Sequence, residues 1–173
     1  DEHLKDAFAR GADIHRETAA RVLHKDPADI THGERSMAKM VNFGLAYGMS
    51  DFGLASRANI PRAEAQEFIN SYFAAYSGIS YYMMAIKEQA KAQGFVETLL
   101  GRKRQIPELR ASNPALRGAG ERMAINMPIQ GTAADIVKIA MIRLARRLQV
   151  EGFRAQILLQ VHDELLLEVP ADE

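Results

Sequence analysis

Residues 35–48, RSMAKMVNFGLAYG, are the stretch that decides how the rest of this chain is interpreted. Met37, Val41 and Leu45 recur every four residues within it, which is typical of one apolar face of an α-helix. The sequence therefore predicts an amphipathic helix here, with Met37, Val41 and Leu45 facing a protein core.

A second stripe runs along the same predicted helix. Arg35, Lys39, Phe43 and Tyr47 also recur every four residues, and at that spacing they form a slowly winding line roughly 18 Å long. Its order, two cations and then two aromatic rings, matches a nucleoside triphosphate, which has a polyanion at one end and a sugar and flat base at the other. A lysine in such a place can also donate a proton. The alternative is that the cations are solvated and the rings belong to the core.

Capping residues and breakers predict the remaining elements. We expect helices over about 13–24, 31–48, 50–59, from Pro61 onwards, 78–94 and 113–151, the last interrupted by Gly131 and bent at Pro128. We expect strands over 95–99, 104–107, 155–161 and 164–169. The predicted fold class is α+β and mostly helical. Two strands alone do not form a stable sheet, so we also expect the apolar closing hairpin to need partner strands from a larger protein.

The composition limits the kinds of site and partner that this chain can have. The 173 residues include no cysteine, which excludes disulfides and thiolate metal sites. The formal net charge is zero, but residues 101–122 hold six basic and two acidic side chains, and residues 163–173 hold only acids among their charged side chains. That distribution suits one surface that grips phosphate and another that holds a cation, although solvated helix faces explain it equally well. The apolar runs are too short to span a bilayer, so we expect no membrane partner.

Two further patterns carry polar chemistry. Gln160-Val-His-Asp-Glu164 lies between two apolar strands, which puts carboxylates at a sheet rim without burying their charge. An ordinary polar turn is the alternative.

A four-residue spacing across Pro128 relates Arg122, Asn126 and Gln130. Such side chains suit phosphate and minor-groove edges, where acceptors vary little with sequence. Here an exposed polar face is an equally good interpretation.

Residues 35–48 resemble motif B of the family A DNA polymerases, R-x-x-x-K-x-x-x-F-G-x-x-Y-G, at every fixed position. Residues 160–164 match the family's motif C, Q-V-H-D-E. The segments 13–15, 94–104 and 121–135 are similar to its D-I-H segment, its G-Y-V-E-T-x-x-G-R-R-R hairpin and its primer–template helix. The resemblance spans essentially the whole chain, in the family's order.

The resemblance implies roles for individual residues. The residues expected to bind a deoxynucleoside triphosphate (dNTP) are His15, Arg35, Lys39, Phe43 and Tyr47. The expected catalytic residues are Lys39, which would protonate the leaving pyrophosphate, Asp163 and Glu164. The residues expected to contact DNA are Arg122, Asn126, Gln130 and His162. Phenylalanine at the position of Phe43 is associated with discrimination against dideoxynucleotides.

The resemblance also implies two Mg²⁺ ions, with Asp163 as a metal ligand and Glu164 supporting the site. The family's second catalytic aspartate lies in motif A, D-Y-S-Q-I-E-L-R, which this sequence lacks. Asp1-Glu2-His3 resembles a segment shortly downstream of that motif. We therefore expect the second carboxylate ligand to lie outside the chain, and the chain alone to be inactive.

The implied organisation is a fingers subdomain over 1–111, including a small hairpin at about 95–107, and part of a palm over 112–173, with the bent helix and a hairpin of an incomplete antiparallel sheet. The implied activity is template-directed DNA synthesis in the bacterial cytoplasm, at the nucleoid. The implied partners are primer–template DNA, dNTPs and the rest of a polymerase, namely the motif A strand, a thumb and any upstream nuclease domain.

Three alternatives stay open: a non-catalytic nucleotide- or DNA-binding module, a purely structural helical protein, and a phage or organellar relative.

Overall fold

The computed structural model describes the backbone of residues 1–173 and every side chain except that of Ala46. In chain order its helices are α1 (Glu2–Ala9), α2 (Ile14–Leu23), α3 (His32–Ala46), α4 (Asp51–Ala58), α5 (Arg62–Ala75), α6 (Ser77–Gln93) and α7 (Pro114–Val150). Its strands are β1 (Phe95–Glu97), β2 (Lys103–Gln105), β3 (Gln156–Val161) and β4 (Glu164–Glu168). β1 pairs with β2 and β3 pairs with β4. The predicted α+β, mostly helical class is confirmed.

The predicted starts of α2 and α3 are confirmed by their caps. The carboxylate of Asp13 accepts hydrogen bonds from the backbone N–H groups of His15 and Arg16, both at 3.1 Å, and so begins α2. At the start of α3, Thr31 and Glu34 form the predicted capping box. The ammonium of Lys25 and the bonds from Thr31 together lower the pKa of Glu34 to about 2. Glu34 therefore stays ionised and keeps the cap intact at neutral pH.

The core lies where the apolar face of α3 meets the neighbouring helices. Val41 and Leu45 are buried, and Met37 packs against the same cluster. The other buried members of the cluster are Val22, Leu54, Ala65, Ile69, Tyr72 and Tyr76. The periodicity of residues 35–48 thus predicted the buried face of α3 correctly.

The chain divides into two compact units. Unit 1 comprises Asp1–Phe95 and Gln105–Asn126, and unit 2 comprises Val96–Arg104 and Met127–Glu173. The predicted subdomains, 1–111 and 112–173, have different boundaries. Whether these units correspond to fingers and palm stays a prediction.

Specific contacts explain where the boundaries fall. The start of α7 joins unit 1 because the hydroxyl of Tyr82 donates to the carbonyl of Ile125 at 3.0 Å. The tip of the first hairpin joins unit 2 because Arg102 Nε lies 2.8 Å from a carboxylate oxygen of Asp135. The backbone N–H of Leu99 also donates to Thr132 Oγ1 at 3.0 Å. No local sequence pattern indicates these long-range contacts of α7, either with Tyr82 or with the first hairpin.

Helix α7 continues through Pro128 and Gly131, so the predicted interruption does not end it. The carbonyl of Pro128 accepts a hydrogen bond from Thr132 Oγ1 at 2.5 Å. The bend expected at Pro128 stays a prediction.

The closing hairpin has a two-residue turn, because Val161 pairs with Glu164 around His162 and Asp163. A register shift between Ile157 and Leu159 marks a bulge in β3. The hairpin exposes apolar side chains, among them Leu158, Leu159, Val161 and Leu166. No described helix is long and apolar enough to cross a membrane.

Candidate functional site

The stripe predicted on α3 is accessible along its whole length. Phe43 and Tyr47 are 52% and 51% exposed, Lys39 is exposed and Arg35 is partly exposed. Tyr47 is the C-terminal cap residue of α3. The interpretation of Phe43 and Tyr47 as core residues is therefore wrong, and the stripe offers its cations and rings to a ligand.

The cationic end of the stripe lies against the start of α2. Arg35 Nε donates to Asp13 Oδ2 at 2.7 Å. This hydrogen bond is the main reason that the pKa of Asp13 is lowered, so the carboxylate stays charged beside the guanidinium. Asp13 both caps α2 and holds Arg35 beside His15, and a bound polyphosphate would compete with it for the guanidinium.

His15 belongs to the same surface. Its ring centroid lies 5.6 Å from that of Phe43, at an interplanar angle of 51°. Burial and the nearby charge of Arg35 lower its pKa, with a smaller contribution from Lys39, while Asp13 opposes them. The structure therefore brings His15, Arg35, Lys39 and Phe43 together in unit 1, which places three nitrogen donors beside one ring.

The aromatic end of the stripe borders a cleft of about 610 Å³. Its walls include Met40, Phe43, Tyr47, Met49, Arg57 and Arg122. Sequence reasoning missed Met49, which lies between α3 and α4, and Arg57, which lies on α4, because neither carries a periodic signal. A cleft with two rings, two thioethers and two guanidinium groups can receive a flat, partly polar molecule.

Two glycines at this end are required by close packing within the chain. A Cβ at position 44 would lie 2.2 Å from Met49 Cε, and one at position 48 would lie 2.5 Å from Arg122 Cγ. Gly48 also has a φ of +74°, which favours glycine. The atoms that come closest to Gly44 and Gly48 are thus side-chain atoms of this same chain.

The three polar residues predicted on α7 are divided between the units. Arg122 is exposed and lines the cleft beside Tyr47, and Asn126 is partly buried in unit 1. Gln130 is exposed and belongs to unit 2. The structure thus brings Arg122 to the stripe on α3, which the spacing on α7 did not indicate.

The tip of the closing hairpin carries His162, Asp163 and Glu164, all exposed. His162 has a φ of +55°, and its carbonyl accepts from Gln160 Nε2 at 3.0 Å. The carboxylates therefore lie at a solvated rim, as predicted. Their oxygens are ligands that Mg²⁺ prefers. The described residues contain no group of three or more His, Asp or Glu side chains placed to hold a metal.

Comparison with known proteins identifies relatives of the whole chain. The sequence profile of DNA polymerase family A matches residues 1–173. DNA polymerase I from Lactococcus lactis subsp. lactis is 53% identical over 174 residues, covering 100% of this chain and 20% of the relative. DNA polymerase I from Geobacillus stearothermophilus is 51% identical over 173 residues, with the same coverage. The chain thus spans about a fifth of the length of these relatives.

A solved structure shows the same fold. The POL domain of Pol1 from M. smegmatis, in complex with DNA primer-template and dNTP, superposes with a TM-score of 0.92 at 43% sequence identity. The match covers 99% of this chain and 30% of that one.

Proposed function

This chain belongs to DNA polymerase family A, and on that premise we propose that it forms the nucleotide-binding part of an enzyme that extends a DNA primer along a template. The observation that carries the proposal is the surface of unit 1 on which His15, Arg35 and Lys39 lie at one end of a stripe and Phe43 and Tyr47 at the other. A dNTP has the same polarity, from triphosphate to base.

Each residue of the stripe has a part in binding. Arg35 would release Asp13 in part and donate to phosphate oxygens, while Lys39 supplies a point charge and donates a proton to the leaving pyrophosphate. Phe43 would pack on the sugar, and Tyr47 would lie at the templating base beside the cleft. The work of these residues is positioning and charge stabilisation, which dominate phosphoryl transfer.

The DNA would be held by α7 and the closing hairpin. Arg122, Asn126 and Gln130 offer a guanidinium and two amides, which suit phosphates and minor-groove acceptors common to all base pairs. His162, at the exposed tip of the hairpin, would contact the primer end. These contacts allow pair geometry to be checked without reading sequence.

Asp163 would be a ligand of the catalytic Mg²⁺ ions, with Glu164 supporting it and the second carboxylate ligand coming from outside this chain. Bound Mg²⁺ supplies stabilisation of the charge that develops on the transferred phosphoryl group. The proposed partners are primer–template DNA, dNTPs and the remainder of the polymerase, in the bacterial cytoplasm at the nucleoid.

A second candidate applies to the chain by itself. The described residues offer no ligand group of three or more for a metal, which favours binding of nucleotide or duplex without chemistry. Primer extension with Mg²⁺ by the purified 173-residue chain separates the two functions. Extension would contradict the second candidate, whereas binding without extension would support it.

The polymerase function is tested by Asp163→Asn in the complete polymerase that carries this chain. We expect primer extension to fall on the order of 1000-fold, because metal-mediated charge stabilisation is worth several kcal/mol. Glu168→Gln, which removes an exposed carboxylate at the other end of β4, is the control and should leave the rate unchanged. If Asp163→Asn retains extension, Asp163 is not a metal ligand.

A further inference from the structure

Asn42 lies on α3 between Lys39 and Phe43, and its amide bridges two residues of α2. Asn42 Nδ2 lies 3.1 Å from His15 Nδ1 and 3.0 Å from Thr18 Oγ1. Asn42 is partly buried and Thr18 is completely buried. The amide thus ties the half-buried imidazole at the edge of the site to a fixed point in the core.

The direction of these hydrogen bonds follows from the surroundings of Thr18. Its hydroxyl carries one hydrogen, which it donates to the carbonyl of Ile14 at 2.8 Å. The hydroxyl oxygen can then accept two bonds, and its remaining close partners are Asn42 Nδ2 at 3.0 Å, the hydroxyl of Tyr76 at 3.2 Å and, farther away, Asn42 Oδ1 at 3.3 Å. Because the Thr18 hydrogen is used at Ile14, the nearer of the two Asn42 amide atoms is a donor, which assigns it as the NH₂ group.

That orientation decides the state of His15. An amide NH₂ has two hydrogens, one for Thr18 and one for His15 Nδ1. Since Nδ1 accepts, it carries no proton, and the proton of the neutral ring lies on Nε2. Within the described part of the chain, Nε2 has no hydrogen-bond partner, so it is left for a ligand.

We propose that Asn42 is a positioning residue that fixes the tautomer and rotation of His15, so that His15 Nε2–H donates to a phosphate oxygen of the incoming nucleoside triphosphate. The proposal rests on the nucleotide-binding function proposed above. It adds a residue whose effect on the nucleotide passes through His15 rather than through direct contact.

The charges around His15 agree with a neutral donor. Arg35 and Lys39 lower its pKa together with burial, and Asp13 is the acid that opposes them. A neutral imidazole could otherwise present a bare nitrogen lone pair to a phosphate oxygen, which would repel it. The core anchor through Thr18 and Tyr76, which is 2% exposed, keeps the ring from rotating into that state.

The tautomer is measured directly by NMR of the complete polymerase with ¹⁵N-labelled histidine, without nucleotide. The His15 resonances are assigned by their loss in His15→Gln. We expect Nδ1 to resonate as an unprotonated nitrogen and Nε2 as a protonated one. In Asn42→Asp, whose carboxylate can only accept, Nδ1 should become protonated. A protonated Nδ1 in the unchanged protein would overturn the proposal.

The functional consequence is measured by a double-mutant cycle on the KM for dNTP. Asn42→Ala should raise KM about 3- to 10-fold, the cost of ordering one freed side chain, while kcat changes by less than about twofold. In a His15→Ala background, Asn42→Ala should have no further effect. Asn70→Ala, which removes an exposed asparagine of α5, is the matched control and should leave KM unchanged.

The possible failures are distinguishable. An equal effect of Asn42→Ala in both backgrounds would show that Asn42 does not act through His15. An unchanged KM in His15→Ala would contradict the proposed contact of His15 with the nucleotide, whereas the NMR result would still decide what Asn42 does to the ring. If Asn42→Ala does not fold, Asn42→Asp keeps the shape of the side chain and provides the same NMR test.

Discussion

At the scale of single residues, Arg35 and Lys39 are not equivalent, although both are cations on one stripe. Arg35 is held by Asp13 in an ion pair, while Lys39 is exposed and makes no ion pair among the described residues. A guanidinium cannot give up its proton in a protein, but an ammonium can. In the proposed function, proton donation is therefore assigned to Lys39, and the orientation of the phosphate is assigned to Arg35.

This difference predicts the effect of Lys39→Ala in the complete polymerase. Nucleotide incorporation in a single turnover should slow by roughly 10²- to 10⁴-fold, the usual contribution of a general acid. Duplex binding should survive, because Lys39 is not among the residues proposed to hold DNA. Lys5→Ala, which removes an exposed lysine of α1, is the control. An unchanged single-turnover rate would remove Lys39 from the mechanism.

At the scale of elements, the first hairpin and α7 fit closely within unit 2. A Cβ at position 131 would lie 2.7 Å from Thr98 Cγ2. Thr98 is buried, and its hydroxyl accepts from the backbone N–H of Arg102 at 3.1 Å, so its methyl group cannot rotate away without losing that bond. Gly131 is thus required by packing, even though glycine weakens a helix.

Gly131→Ala should therefore destabilise unit 2 by about 1–3 kcal/mol, the usual effect of overpacking, in spite of the higher helix propensity of alanine. Thr98→Ser removes the methyl group and keeps the hydroxyl, so the double variant should recover most of the loss. Hydrogen exchange of the α7 amides in each variant measures the effect.

Gly118→Ala is the matched control in the same helix. A Cβ there would meet only Arg122 Nη1, at an ordinary 3.6 Å, so the substitution should be neutral or slightly stabilising. Equal protection in Gly131→Ala and Gly118→Ala would contradict the close fit with Thr98.

At the scale of the whole molecule, the apolar surface of the closing hairpin is the feature that composition alone does not reveal. Leu159 and Leu166 pair across the strands and are 58% and 53% exposed. Exposed apolar strand surface promotes association with other chains. The stripe on α3 belongs to unit 1 and the hairpin belongs to unit 2.

We predict that Leu159→Thr/Leu166→Thr raises the concentration at which the 173-residue chain self-associates severalfold. Threonine keeps a high strand propensity, so the hairpin should persist. Light scattering measures the association. Ile157→Thr/Leu167→Thr, at the partly buried neighbouring pair, is the comparison and should destabilise the hairpin instead. If Leu159→Thr/Leu166→Thr self-associates at the same concentration as the unchanged chain, the exposed apolar face of the hairpin does not drive the association.

Much of the local structure could be predicted from the sequence because its causes are local. The caps at Asp13 and Thr31 act within three residues, and the buried face of α3 follows from a four-residue period. The order of cations and rings along the stripe could also be predicted, since Arg35, Lys39, Phe43 and Tyr47 lie on one helix. By itself the sequence determined helices α2 to α7, the face of α3 that is buried and the residue types offered to a ligand, whereas α1 was not predicted.

Tertiary structure alone decided which other residues join them. His15 reaches Phe43, Arg122 reaches the cleft, Asn42 meets Thr18, and Arg102 meets Asp135, and each of these pairs is separated by at least 24 residues, a distance that no period records. Such contacts depend on how helices pack, and packing is set by shape complementarity over many side chains at once. The sequence determined what each element presents, and only packing decided which presented groups meet.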